Sequence, residues 1–297
     1  MSRQRITWRS VAYLILLVVA VALTVAWWPE FSRIWREHFA TFLIITLLMI
    51  VSVFVQSYNF LSFLPGAGVP KLVDMAHTWA IGALVNYLGP FQPGLAVRVA
   101  LLAKQGVRVG DSSVATLRQV IASAWLALAL ASVSLMWMDP ARMAIPSVVL
   151  MVAFLLVPQT FPFLRRLVVR VLPNRIPANV RHAMQVALTL PSLRAASGIL
   201  VQYMLGTFAF YIGYKQFGAD ISIPAALGLA CVVYVSSLVA LFPGNLGVLE
   251  ALCTAFGQTS GLSVQQSLAL AFLYRGASIA SVMLVAAVPT PHRSVQT

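Results

Sequence analysis

Long apolar runs alternate with short polar ones along the whole chain, and seven of them reach or approach membrane-span length: residues 11–28, 39–63, 113–137, 145–161, 198–217, 224–242 and 264–288. A helix crosses the hydrocarbon core with about 20 mostly apolar residues, so each run is read as a transmembrane helix. Between the second and third lies another apolar stretch, 77–103, which is interrupted by Asn86, Pro90, Gln92, Pro93 and Gly94 and is expected to form two half-helices. A second interruption, Pro243, Gly244, Asn245 and Gly247, opens a half-length apolar segment over 243–257. Unwound backbone at membrane depth is tolerated only where protein or a wet cavity satisfies its polar groups, so paired interruptions of this kind point to a substrate site and hint at an inverted repeat. The alternative is that the prolines only kink continuous helices. The pattern therefore predicts an all-α, polytopic integral membrane bundle with two broken or re-entrant segments. It forms one integral membrane domain over 1–297, with about seven to nine spanning or half-spanning helices.

Composition agrees. Hydrophobic residues make up 60 % of the 297 positions and charged residues 9 %, against about a quarter charged in soluble domains. The net charge of +13 would suit nucleic acid, but the basic residues sit in short tracts between apolar runs, which is the placement of cytoplasmic loops facing an anionic leaflet. Nucleic acid is therefore not an expected partner. Arg3, Arg5 and Arg9 precede the first run, which ends in Trp27, Trp28, Pro29 and Glu30 and reads as an uncleaved helix with its N-terminus in the cytoplasm. The stretch 161–194 carries Arg165, Arg166, Arg170, Arg175, Arg181, His182 and Arg194 without one acidic residue. It reads as a cytoplasmic loop, either purely topogenic or gathering anionic lipid. Cys231 and Cys253 lie in apolar surroundings without CxxC spacing, which speaks against a disulfide framework or a metal site.

The chemistry is concentrated in four charges embedded in apolar sequence: Arg98, Arg118, Glu250 and Arg275. An ionisable group inside the membrane costs a few kcal/mol and must face a partner or a cavity. Glu250 can pair with Arg275 or Arg118 and fasten helices, yet three guanidiniums against one carboxylate leave positive charge that a lipid phosphate would neutralise. The expectation is that the four converge on one headgroup site, with half-helix N-termini near Gly94 and Gly244 adding dipole and N–H groups for an anion. Asn86 and Gln92 are expected to cap or hydrogen-bond the unwound chain. A Gly-rich nucleotide loop, an HExxH helix and a Ser/His/Asp set are all lacking, and His38, His77, His182 and His292 are assigned to loops or the terminus. No catalytic residue and no cofactor are expected.

In order and spacing, Asn86, Pro90, Gly94 and Arg98, followed by Arg118, resemble the first signature of the membrane part of lysylphosphatidylglycerol synthases and their stand-alone, flippase-like relatives. Pro243, Gly244, Gly247, Val248, Glu250 and Ala251, then Gly261 and Arg275, resemble the second. The chain departs from that pattern at Gln92 and Leu95, where an arginine and a glutamate are expected, at Leu117, where an acidic residue often precedes the arginine, and at Asn245, which replaces a usual glycine. The resemblance implies a stand-alone membrane region, without the soluble synthase domain, in the inner (cytoplasmic) membrane. Such a region would move a phospholipid or polyprenyl-linked precursor between leaflets. Its partners would be membrane lipids, a lipid-modifying enzyme and further copies of itself. The alternative is a membrane-embedded lipid or glycosyl transferase, or its accessory subunit.

Overall fold

A computed structural model describes residues 32–33, 36–64, 69–87, 92–138, 140–171, 189–239 and 243–288. The expected first span, Pro90 and half of the basic loop (172–188) lie outside the described residues. The chain divides into residues 1–40 and a compact unit, 41–297. In the first, the described residues are helical around an Arg36 to Ser32 side chain to backbone bond of 3.2 Å. The rest of the account concerns the second.

Among the described residues the fold is all-helical. The elements are α1 (Phe39–Leu61), α2 (Leu72–Asn86), α3 (Pro93–Lys104), α4 (Val109–Met138), α5 (Pro140–Val171), α6 (Leu193–Gln216), α7 (Ile223–Val239), a 3₁₀ turn at Pro243–Asn245, α8 (Val248–Thr259) and α9 (Val264–Ala287). Among the described residues, five segments are long and apolar enough to cross a membrane: Phe39–Leu61, Val109–Met138, Met143–Phe163, Leu193–Gln216 and Val264–Ala287. Both helices that follow a break, α3 and α8, have 12 residues. At 1.5 Å per residue that is about 18 Å, well short of a hydrocarbon core of about 30 Å.

The expected boundaries need two corrections. The 145–161 span continues as helix to Val171, through Pro146, Pro158 and Pro162, so the first third of the expected basic loop is helical. Proline removes one backbone bond and kinks a helix, but in a membrane helix the freed carbonyls find other partners and the helix goes on. His77, assigned to a loop, lies in α2.

Helix starts follow local chemistry. Ser192 accepts a hydrogen bond from the Ala195 N–H at 3.2 Å and caps α6. Ser263 and Gln266 form a reciprocal capping box at the start of α9, satisfying donors that the first turn leaves free. Between helices, polar side chains bind across to neighbouring backbone. Trp125 of α4 stacks on Phe154 of α5 with centroids 4.7 Å apart and donates its indole N–H to the Phe154 carbonyl at 2.8 Å. Ser134 of α4 donates to the Pro224 carbonyl of α7 at 2.7 Å, and Tyr214 of α6 to the Cys253 carbonyl of α8 at 2.7 Å. Lipid tails are as apolar as leucine, so such bonds and close packing, rather than hydrophobic burial, hold membrane helices together. Phe60, Phe63, Met75, Leu102, Ile199 and Tyr203 form the main apolar cluster.

Candidate functional site

The two breaks meet. Asn86, Tyr87 and Gln92 from the first, and Gly244 and Asn245 from the second, line one cavity of about 300 Å³. Its other walls are Ser52 and Gln56 of α1, Thr116 and Gln119 of α4, Tyr234 and Ser237 of α7, and Ser278 and Ser281 of α9, with Trp79, Leu95 and Arg98 between them. Tyr87 and Ser278 hydroxyls lie 3.3 Å apart, and the Gln92 amide donates to the Ser237 carbonyl, which ties the first break to α9 and α7.

The first break is shaped by close approach. Trp79, Gly82 and Asn86 follow one another at i, i+3 and i+7 on α2, and Gly94 and Arg98 at i and i+4 on α3, so each set forms a stripe along its helix. A Cβ on Gly94 would stand 1.7 Å from the Gly82 carbonyl oxygen, so only glycine lets the stripes touch. Asn86 accepts a hydrogen bond from the Gly94 N–H at 2.8 Å, and Gln92 takes left-handed backbone angles (φ 52°) ahead of Pro93, the first residue of α3. The turn is thus made by Asn86 capping, an unusual Gln92 conformation and a proline whose missing N–H costs nothing there.

This contact seats Arg98. Its stem passes beside Gly82, its guanidinium carbon lies 3.3 Å from the Trp79 ring centroid, and the residue is 4 % exposed. Its Nε has no hydrogen-bond partner, and no salt bridge joins it to a described carboxylate. A desolvated guanidinium on an indole face gains about 2 kcal/mol, less than an unpaired charge loses in leaving water. The cavity is where that deficit can be met.

The second break is held differently. Arg275 of α9 reaches Glu250 of α8 through Nε to Oε1 at 2.7 Å and a second nitrogen to Oε2 at 3.0 Å. It also donates to the carbonyls of Gly244 at 2.7 Å and Asn245 at 3.3 Å. Glu250 in turn accepts the Gly247 N–H at 2.8 Å. Gly244, Asn245 and Gly247 all have positive φ (56°, 58° and 85°), and an uncoiled backbone of this kind exposes carbonyls that need donors. One fork therefore binds a carboxylate and two loose carbonyls at once.

The four embedded charges do not form the single constellation expected from the sequence. Arg98 lines the cavity. Arg275 and Glu250 form the ion pair that was the alternative, and they stand behind the Gly244–Asn245 wall with their bonding capacity used inside the protein. Arg118 is not among the lining residues; its guanidinium lies 5.4 Å from the Phe63 ring, although its neighbour Gln119 faces the cavity. The half-helix N-termini also differ from expectation: the Gly94 N–H is taken by Asn86, and the start of α8 is covered by Glu250. The side chains of Pro90 and Pro243 lie outside the described residues. Trp79, Tyr234 and Gln119 went unremarked in the sequence. Their one signal is position, since an indole in the middle of an apolar helix is away from the interfacial belts where Trp collects.

Over residues 11–286 the sequence matches the family described as Lysylphosphatidylglycerol synthase TM region. The chain belongs to that family. Membership agrees with the all-helical bundle and its span-length segments, and it ties this membrane protein to lipid modification or transport. Neither the curated proteins nor the solved structures give a match.

Proposed function

We propose that the cavity between the two breaks is the seat of an anionic lipid headgroup, and that the protein lets that lipid pass between leaflets of the cytoplasmic membrane without chemistry of its own. The observation that carries this reading is Arg98: a guanidinium 4 % exposed, with its Nε unbonded and no ion pair to a described carboxylate, on the wall of the cavity where the two breaks meet. A membrane-embedded charge held by an aromatic face but without a counter-charge is by default a functional group, and a phosphate supplies the acceptor that its Nε lacks. Arg275 and Glu250 keep the second break unwound and the cavity open. In this reading the N-terminus and the 161–194 stretch face the cytoplasm, so a cysteine placed at Asn179 is labelled only from that side.

The test is lipid movement in proteoliposomes holding the purified chain and acyl-labelled fluorescent phosphatidylglycerol, with the outer leaflet quenched chemically. The wild-type protein makes the inner-leaflet label reachable, Arg98→Gln abolishes this, and Arg98→Lys retains part of it, because a point charge replaces the fork. An Arg98→Gln protein that folds and moves the lipid at the wild-type rate refutes the proposal.

A further inference from the structure

The cavity has a one-sided electrostatic inventory. Arg98 is the sole charged side chain among the described residues that line it. The remaining polar groups are amides and hydroxyls, among them Gln56, Asn86, Gln119, Tyr234 and Asn245. Glu250, the nearest carboxylate to the breaks, is not on the wall, and both its oxygens are engaged, Oε1 by Arg275 and Oε2 by Arg275 and the Gly247 N–H. No carboxylate is therefore free to receive an ammonium group.

That inventory distinguishes headgroups. A phosphate diester finds the guanidinium. Hydroxyls find amides and hydroxyls, which donate and accept equally well. An aminoacylated headgroup adds an ammonium to a pocket whose one charged side chain is itself a cation and whose described wall offers no carboxylate, and rejection by like charge is as effective a source of selectivity as attraction. The volume of about 300 Å³ is at the small end of ligand cavities, about 300–1,000 Å³, and suits a headgroup rather than a whole lipid. We infer that the cavity selects phosphate lipids whose headgroup is net negative and hydroxyl-bearing, a polyol or sugar phosphate, and excludes lipids whose headgroup carries an added ammonium. The inference rests on the reading of this cavity as a headgroup seat and goes further by naming its class of occupant.

The test is binding, measured separately from transport. The detergent-purified full chain is presented with phosphatidylglycerol and with lysylphosphatidylglycerol of the same acyl composition, and the bound fraction is read by native mass spectrometry. The wild-type protein retains phosphatidylglycerol with at least about tenfold higher affinity, the effect of one favourable against one unfavourable charge contact. Gln56→Glu, nearly isosteric and able to accept from the Ser52 hydroxyl, to which the Gln56 amide now donates at 3.1 Å, places a carboxylate on the wall and narrows that ratio at least about tenfold. Lysylphosphatidylglycerol binding as tightly as phosphatidylglycerol to the wild type overturns the inference, and this comparison decides even if the variant fails to fold. A ratio that a folded Gln56→Glu leaves unmoved overturns it too, since the selectivity then lies outside the cavity. If neither lipid binds, the headgroup seat itself falls. Selective binding without lipid movement in proteoliposomes upholds the inference while ending the transport reading.

Discussion

Replacing Arg275 by lysine separates two accounts of the pair it forms with Glu250. If only charge matters, lysine suffices. The geometry says otherwise, because Arg275 makes two bonds to the carboxylate and one each to the Gly244 and Asn245 carbonyls. An ammonium head can keep the contact with Glu250 but is too compact to reach both carbonyls as well. Loss of about two charge-assisted bonds, each worth about 1.5–3 kcal/mol and partly replaced on relaxation, gives a net cost of about 2–4 kcal/mol. Arg275→Gln goes further. With side chains only 10 % and 12 % exposed, Glu250 is left without its counter-charge, and breaking a buried pair costs about 3–5 kcal/mol. For a chain of this size about 2 °C of midpoint accompanies each kcal/mol, so lysine lowers the apparent midpoint by about 4–8 °C and glutamine by about 6–10 °C. The assay is thermal unfolding of the purified protein in one detergent at one scan rate, because unfolding of such a protein is not reversible. Glu250→Gln falls in the range of Arg275→Gln, and the double variant loses much less than the sum, as residues acting as a unit do. A lysine variant within a degree of wild type, or additive losses in the double variant, would refute the clasp.

Three further outcomes follow from the same contacts. Gly94→Ala forces α2 and α3 apart, since its Cβ would stand 1.7 Å from the Gly82 oxygen; a loss of about 3 kcal/mol or more appears as a lower midpoint together with loss of lipid movement, and an intact hairpin with both retained contradicts the close approach. Tyr214→Phe removes the 2.7 Å bond to the Cys253 carbonyl and costs about 1 kcal/mol, with transport unchanged once the protein is folded. Arg118→Gln, off the cavity wall, leaves lipid movement within about twofold of wild type, a difference under 0.5 kcal/mol, and a loss as deep as that of Arg98→Gln shows that Arg118 belongs to the site after all.

Much of this architecture is legible in the sequence because its causes are local. Proline and glycine act on the backbone where they stand, so both breaks could be placed, and Asn86 does hydrogen-bond the first of them, whereas the Gln92 amide reaches away to the Ser237 carbonyl of α7. The partner of Arg98 was not legible. Trp79 meets it only because Gly82 and Gly94 let two helices touch, a tertiary fact invisible in either helix alone. Arg118 shows another limit: successive residues on a helix point about 100° apart, so Gln119 reaches the cavity while Arg118 turns to Phe63. Glu250 and Arg275 were visible as embedded charges, but whether they bind each other or a ligand depends on the register of α8 against α9. The span 145–161 already ran through Pro146 and Pro158, but Pro162 does not end α5 as expected, because a proline that breaks a helix in water is tolerated in a membrane helix whose freed backbone groups find other partners.

The claim at the centre is that Arg98 holds a lipid phosphate between the two breaks. An experimental map of the full chain in nanodiscs of phosphatidylglycerol addresses it most directly. The account predicts phosphate density within hydrogen-bond distance, about 2.7–3.0 Å, of the Arg98 guanidinium, in the cavity bounded by Asn86 and Asn245 and lost in Arg98→Gln. Ordered lipid phosphates only on the outer faces of the bundle, with the cavity filled by water or by a protein side chain bonded to Arg98, would contradict it.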